Sequence, residues 1–121
     1  MNHTLPVMVI DDIRNPLPDH DMFSGDNDVL IARTSIEALS MLEDNRKHGL
    51  SALFLDHDLG ADDTTRCIAS MLEERAFFSN PYPVDTIYIH TSNSVGRKWI
   101  ADALSRFYRV VMVDAGQFFT S

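Results

Sequence analysis

Two acidic clusters and one histidine-bearing run hold most of the side chains here that do chemistry: Asp11-Asp12, Asp56-His57-Asp58 and His90-Thr91-Ser92-Asn93. Carboxylates brought close together repel, so they bind a cation, share protons or sit in water. A hard divalent cation such as Mg²⁺ or Mn²⁺ takes oxygen ligands and keeps several waters, which suits Asp11, Asp12 and Asp56, with Asp58 near by. Solvated strand ends and helix caps are the plainer account of the same aspartates. His90 follows an apolar run, where a histidine is either bonded to a carbonyl or placed for proton transfer near neutral pH. Strand alternation turns His57 away from the side taken by Asp56 and Asp58, which leaves packing, orientation or catalysis as its role.

Phosphate chemistry is suggested by a second group. Asn93-Ser94-Val95-Gly96 opens a helix, and the free amides of a helix start attract phosphate. Gly96 permits close approach and Arg97 adds charge, while capping alone explains Asn93 or Ser94. Arg14 and Arg33 fall just past strand ends, where each reaches an anion or pairs with an aspartate. His3, His20 and His48 read as surface or loop residues, and no histidine pair has zinc-ligand spacing on a helix. Cys67 is expected in the core; as the only cysteine it forms no internal disulfide.

Five almost continuously apolar runs must position these residues: 6–11, 28–33, 51–56, 86–91 and 109–114. Strands of that kind are covered on both faces, so both faces need helices. Thr34 and Glu37 have capping-box spacing, with Ile36, Leu39 and Leu42 following at three-residue intervals and Gly49 as terminator. A second helix is predicted to start between Asp62 and Thr64 and to turn Ile68, Met71 and Leu72 inward. A third starts at Asn93 or Ser94 and presents Ile100, Ala103, Leu104 and Phe107 on one face. The segment from Asp12 to Asn27, with Pro16, Pro18 and Gly25, reads as a long loop with at most a short helix. Residues 115–121 are too few for a closing helix, so Phe118 and Phe119 fold back or find a partner. The element order implies a doubly wound α/β fold, a five-stranded parallel sheet of order 2-1-3-4-5. Its ligand crevice lies at the carboxyl ends, where strand order reverses.

The whole 121 residues suit one domain. A formal charge of −8 argues against an extended nucleic-acid surface, because such binding needs clustered Lys and Arg. A small phosphorylated ligand in a local pocket is compatible with it. No stretch approaches the length of a membrane span, and the cytoplasm is the expected location.

Asp11-Asp12, Asp56 and Thr91-Ser92 resemble the corresponding motifs of receiver domains in two-component signalling, which have a flavodoxin-like fold. That family places Mg²⁺ on an acidic pair, a phosphoacceptor aspartate after the third strand and a lysine after the fifth. Here the fifth run ends in Asp114, and the first and last helices look degraded. A closer resemblance, to the cyclic-phosphate processing receiver-like family of bacteria and phages, rests on longer motifs. These are Asp11-Asp12-Ile13-Arg14-Asn15-Pro16, Arg33-Thr34 with Glu37-Ala38, Asp56-His57-Asp58-Leu59-Gly60, and His90-Thr91-Ser92-Asn93 with Gly96-Arg97. The resemblance implies a phosphoesterase-like enzyme acting on a cyclic nucleotide or an RNA terminus. Asp11, Asp12 and Asp56 would hold Mg²⁺ or Mn²⁺, and His90, Asp56 and Asp58 would be catalytic. Asn93, Ser94, Gly96, Arg14 and Arg97 would bind phosphate. The rival expectation is a non-catalytic module, a homo-oligomer or partner-protein binder that sequesters a cyclic nucleotide without cleaving it.

Overall fold

The computed structural model describes residues 5–25 and 28–120, so the expectation for His3 lies outside the described residues. In chain order its strands are β1 (Val7–Ile10), β2 (Asn15–Pro16), β3 (Val29–Ala32), β4 (Leu50–Leu55), β5 (Val84–Ile89), β6 (Val110–Met112) and β7 (Phe119–Thr120). The helices are α1 (Ser35–Asp44), α2 (Arg66–Phe77) and α3 (Ser94–Leu104). Five strands make one parallel sheet, ordered β3-β1-β4-β5-β6. This is the expected order, with the two-residue β2 added to the count, and the fold is receiver-like, of the flavodoxin type.

Register decides which polar residues stand side by side at the carboxyl end of the sheet. Ile10 lies beside both Ala32 and Leu55, Leu55 beside Ile89, and Ile89 beside Met112. The ladder continues one residue further, through Asp11 N–H to Ala32 O, Asp56 N–H to Ile10 O and His90 N–H to Leu55 O. Asp11, Asp56 and His90 therefore form one row across three adjacent strands. Side chains of a row share a face, so all three point the same way.

Alternation divides the core in two. Met8, Ile10, Leu53, Leu55, Ile87 and Ile89 face the helices, meeting Ala38, Leu42, Ile68, Leu72, Ile100 and Leu104. Val7, Val9, Ala52 and Phe54 face the other way, where Phe23 and Phe119 are buried on them with Phe118, Tyr88 and Met22 at the edge. The expectation of helices on both faces is corrected: aromatic side chains from the first loop and the tail cover the second face. That loop is also more ordered than expected, because Asn15 and Pro16 pair antiparallel with Thr120 and Phe119. The tail thus folds back.

The helices differ from expectation at their edges. Thr34 Oγ1 accepts from Glu37 N–H at 3.1 Å, and Glu37 Oε1 accepts from Arg33 N–H at 2.8 Å, one residue before the amide that a reciprocal capping box would use. Ile36 is 81% exposed, because three-residue steps drift about 60° per step around a helix and leave it off the face of Leu42. The second helix starts at Arg66, later than expected. Before it, Thr65 N–H binds His57 O at 2.9 Å and the Thr65 hydroxyl binds Asp56 O at 2.6 Å, so the segment is held to the end of β4. Met71 is only half-buried and Cys67 is exposed, which corrects its expected place in the core; it precedes the buried Ile68 and so lies about 100° around the helix from it. On α3, Ile100 and Leu104 are buried, while Ala103 and Phe107 are half-buried.

Candidate functional site

At the carboxyl end of the sheet, Asp11, Asp56 and His90 bring one ligand-type atom each within 4.8 Å of one another, all buried. Asp11 is fully covered, and each of its oxygens is engaged. Oδ1 accepts from the amides of Ile13 at 3.0 Å and Arg14 at 2.8 Å, and Oδ2 meets His90 Nε2 at 3.0 Å. Burial pushes the Asp11 carboxyl up, but the His90 side chain and the two amides outweigh it and hold the group at about 2. Asp56 goes the other way: burial raises it and the charge of Asp11 adds to that, against the lowering influence of His90 and the Thr91 hydroxyl.

Facing the ionised Asp11, His90 carries a proton on Nε2. Its other nitrogen, Nδ1, is buried and has no hydrogen-bond partner among the described residues. The ring packs on Phe119 with centroids 4.5 Å apart. His57, on the opposite side of the sheet, is arranged differently. Its Nε2 accepts from Arg66 Nε at 2.9 Å and its Nδ1 faces Asp58 Oδ1 at 3.0 Å, so both nitrogens have partners and the proton sits on Nδ1. The ring lies beneath Gly96, whose added Cβ would stand 2.3 Å from His57 Cγ. The close approach that Gly96 permits is that of an imidazole.

Asp58 belongs to this second network. Its side chain is 58% exposed, and Oδ2 accepts from Asn93 Nδ2 at 3.0 Å. Asn93 and His57 hold the Asp58 carboxyl below the usual range. Asn93 Oδ1 caps α3 by accepting from Gly96 N–H at 2.9 Å.

A cavity of about 630 Å³ opens beside His90, lined also by Arg14, Thr91, Ser92, Arg97, residues 112–116 and Phe119. Of the residues expected to bind phosphate, Arg14 and Arg97 stand in it. Asn93, Ser94 and Gly96 do not line it; Ser94 lines a separate surface cleft with Lys98 and Trp99. Asp12 is outside the Asp11–Asp56–His90 group and approaches Gly60, whose added Cβ would lie 3.3 Å from Asp12 Oδ2.

The tail wall of the cavity escaped sequence reasoning, although Asp114-Ala115-Gly116 carried a turn signal: Asp114 Oδ1 accepts from Gly116 N–H at 2.9 Å. The part played by Arg33 was equally hidden. Its guanidinium donates to Asp11 O at 3.1 Å, Arg14 O at 2.6 Å and Asn15 Oδ1 at 2.5 Å, clamping the loop that carries Arg14.

A Mg²⁺ or Mn²⁺ ion on the acidic row meets occupied oxygens. Arg14 Nη1 stands 3.5 Å from Asp11 Oδ2 and 3.4 Å from Asp56 Oδ2, and Asp56 Oδ1 accepts from His57 N–H at 2.8 Å. As arranged, the donor set does not fit a metal.

Compared with known proteins, residues 7–106 match the model of the cyclic-phosphate processing receiver domain. No curated protein and no solved structure matches the chain.

Proposed function

Because the chain belongs to the cyclic-phosphate processing receiver family, we propose that it opens a cyclic phosphate on a nucleotide or an RNA end, with protein side chains supplying the proton transfers. The observation that carries this reading is the Asp11–His90 pair, whose unpartnered Nδ1 belongs to a histidine lining a cavity that also holds Arg14 and Arg97. In the proposed reaction water attacks phosphorus, the bond from phosphorus to one ribose oxygen breaks, and a monoester forms. Protonated His90 gives the proton on Nδ1 to the leaving oxygen, and Asp11 stabilises the imidazolium through Nε2. Asp56 receives the proton of the attacking water. Its raised proton affinity beside the depressed Asp11 is the separation of like groups that divides acid and base roles. Arg14 and Arg97 hold the phosphoryl oxygens, with the Thr91 and Ser92 hydroxyls beside them. Asp58 and Asn93 act at a distance, by fixing His57 and the start of α3.

A second reading, a module that binds a partner protein or keeps a cyclic nucleotide without cleaving it, is favoured by one feature. Phe77 and Phe78, at the end of α2, are 67% and 70% exposed, and exposed apolar pairs attract partners.

Phosphorus NMR of cyclic nucleotides and cyclic-phosphate-ended oligonucleotides, incubated with the wild type and with His90→Ala, separates the two. The enzyme reading expects monoester resonances with the wild type and a rate lower by about a hundredfold or more with His90→Ala at an unchanged melting temperature. Bound substrate that is never turned over establishes the second reading.

A further inference from the structure

We propose that Arg14 is the resident cation of the acidic row, standing where a receiver-type pair would hold a divalent ion, so that the domain folds and acts without one. The oxygens of Asp11 and Asp56 are already engaged. Asp11 Oδ1 takes two amides, Asp11 Oδ2 takes His90 Nε2 with Arg14 Nη1 at 3.5 Å, Asp56 Oδ1 takes the His57 amide and Asp56 Oδ2 meets Arg14 Nη1 at 3.4 Å. His90 Nε2 is likewise engaged, by Asp11 Oδ2 at 3.0 Å.

Arg14 is held in this place by its own loop. Its N–H is fixed by Asp11 and its carbonyl by Arg33, so the backbone that carries the guanidinium is tied to the carboxylates that the guanidinium neutralises. The contacts through Nη1 are long, and the side chain is 25% exposed where it lines the cavity. A guanidinium has five N–H donors, so one end can rest on carboxylates while the other meets a phosphoryl oxygen. A metal entering here must displace Arg14 from both carboxylates.

The test needs no substrate, so its outcome is independent of the cyclic-phosphate reading. Mn²⁺ is titrated into the wild type, Arg14→Ala, Arg14→Lys and the double variant Arg14→Ala/Asp56→Asn, followed by electron paramagnetic resonance, with melting curves in EDTA and in millimolar Mn²⁺. Wild type and Arg14→Lys are expected to show no saturable binding and equal melting temperatures in both conditions. Arg14→Ala should bind Mn²⁺ at least about tenfold more tightly and melt higher with it, by linkage, and the double variant should lose that gain. Saturable wild-type binding of Mn²⁺ in the micromolar range, or a folded Arg14→Ala that gains no Mn²⁺, overturns the proposal. Should Arg14→Ala not fold, the wild-type titration and the Arg14→Lys comparison decide it on the same terms.

Discussion

Asp11 and Asp56 are the same side chain driven in opposite directions by what their oxygens meet. Asp11 is held at about 2, below its ordinary 3.8, so its ionisation supports folding above about pH 4 and that support fades as the pH falls toward 2. Asp56 is raised by burial and by Asp11, so its ionisation works against folding once the pH rises through that raised value. Asp56→Asn is accordingly expected to raise the melting temperature at pH 7 by a few degrees, at about 4 °C per kcal/mol for a chain of this length. Measured against pH, the gain should vanish by about pH 3, where the wild-type carboxyl is protonated in both states; a gain that persists there refutes the account. Asp11→Asn has a more specific consequence. Its oxygen stays on the Ile13 and Arg14 amides, its NH₂ then faces His90 Nε2, and that nitrogen must accept. The proton of the neutral ring moves to Nδ1, so the Nε2–H ring that must remain once Nδ1 has given up its proton is no longer favoured, and the carboxylate that stabilises the imidazolium is gone. Imidazole nitrogen shifts in labelled protein should report the switch, with turnover reduced by about a hundredfold or more. Unchanged shifts would mean that Asp11 does not set the tautomer.

At the scale of elements, the strands were legible because each reads as an apolar run of the right length, and the row of Asp11, Asp56 and His90 follows from where those runs end. Alternation also placed His57 on the opposite face, where its ring meets Gly96 of α3. What stayed hidden depends on distant partners. Two-residue strands carry no periodicity, so the pairing of Pro16 with Phe119 is invisible until the tail and the first loop meet over Phe54. Cys67 and Ile36 were misplaced because a helix face is set by which sheet it packs on, not by hydrophobicity residue by residue. The tail is where the packing of the second face is most open to test. Phe119 is 4% exposed, lies 4.5 Å from the His90 ring and walls the cavity. Phe119→Ala is expected to cost about 3–5 kcal/mol, as for other buried phenylalanines, and Phe119→Leu much less. Denaturant melts measure both, and a Phe119→Ala loss under about 1 kcal/mol would show that the second face does not rely on the tail.

Over the whole molecule, charge limits what the cavity can hold. The chain carries 18 acidic against 10 basic residues, and several of the bases are already engaged: Arg33 on the loop carbonyls, Arg46 with Glu43, Lys98 with Asp102 and Arg66 over Trp99. Arg14 and Arg97 are the Lys or Arg side chains that line the cavity, and Asp114 lines it too. An RNA presents a phosphate at every nucleotide, and each additional one adds to binding only where a Lys or Arg neutralises it and releases its counterions. Here the phosphates upstream of the terminal nucleotide would meet a surface of net negative charge. We therefore expect the affinity for cyclic-phosphate-ended oligonucleotides not to rise with length beyond the terminal nucleotide. The slope of log K against log salt should stay shallow for a mononucleotide and a ten-mer alike, no steeper than about −0.7 to −0.9, the value for a single neutralised phosphate. Fluorescence titrations of both at several salt concentrations measure it. A ten-mer that binds much more tightly, with a slope that steepens in proportion to its length, would reveal a phosphate track that these arginines do not account for.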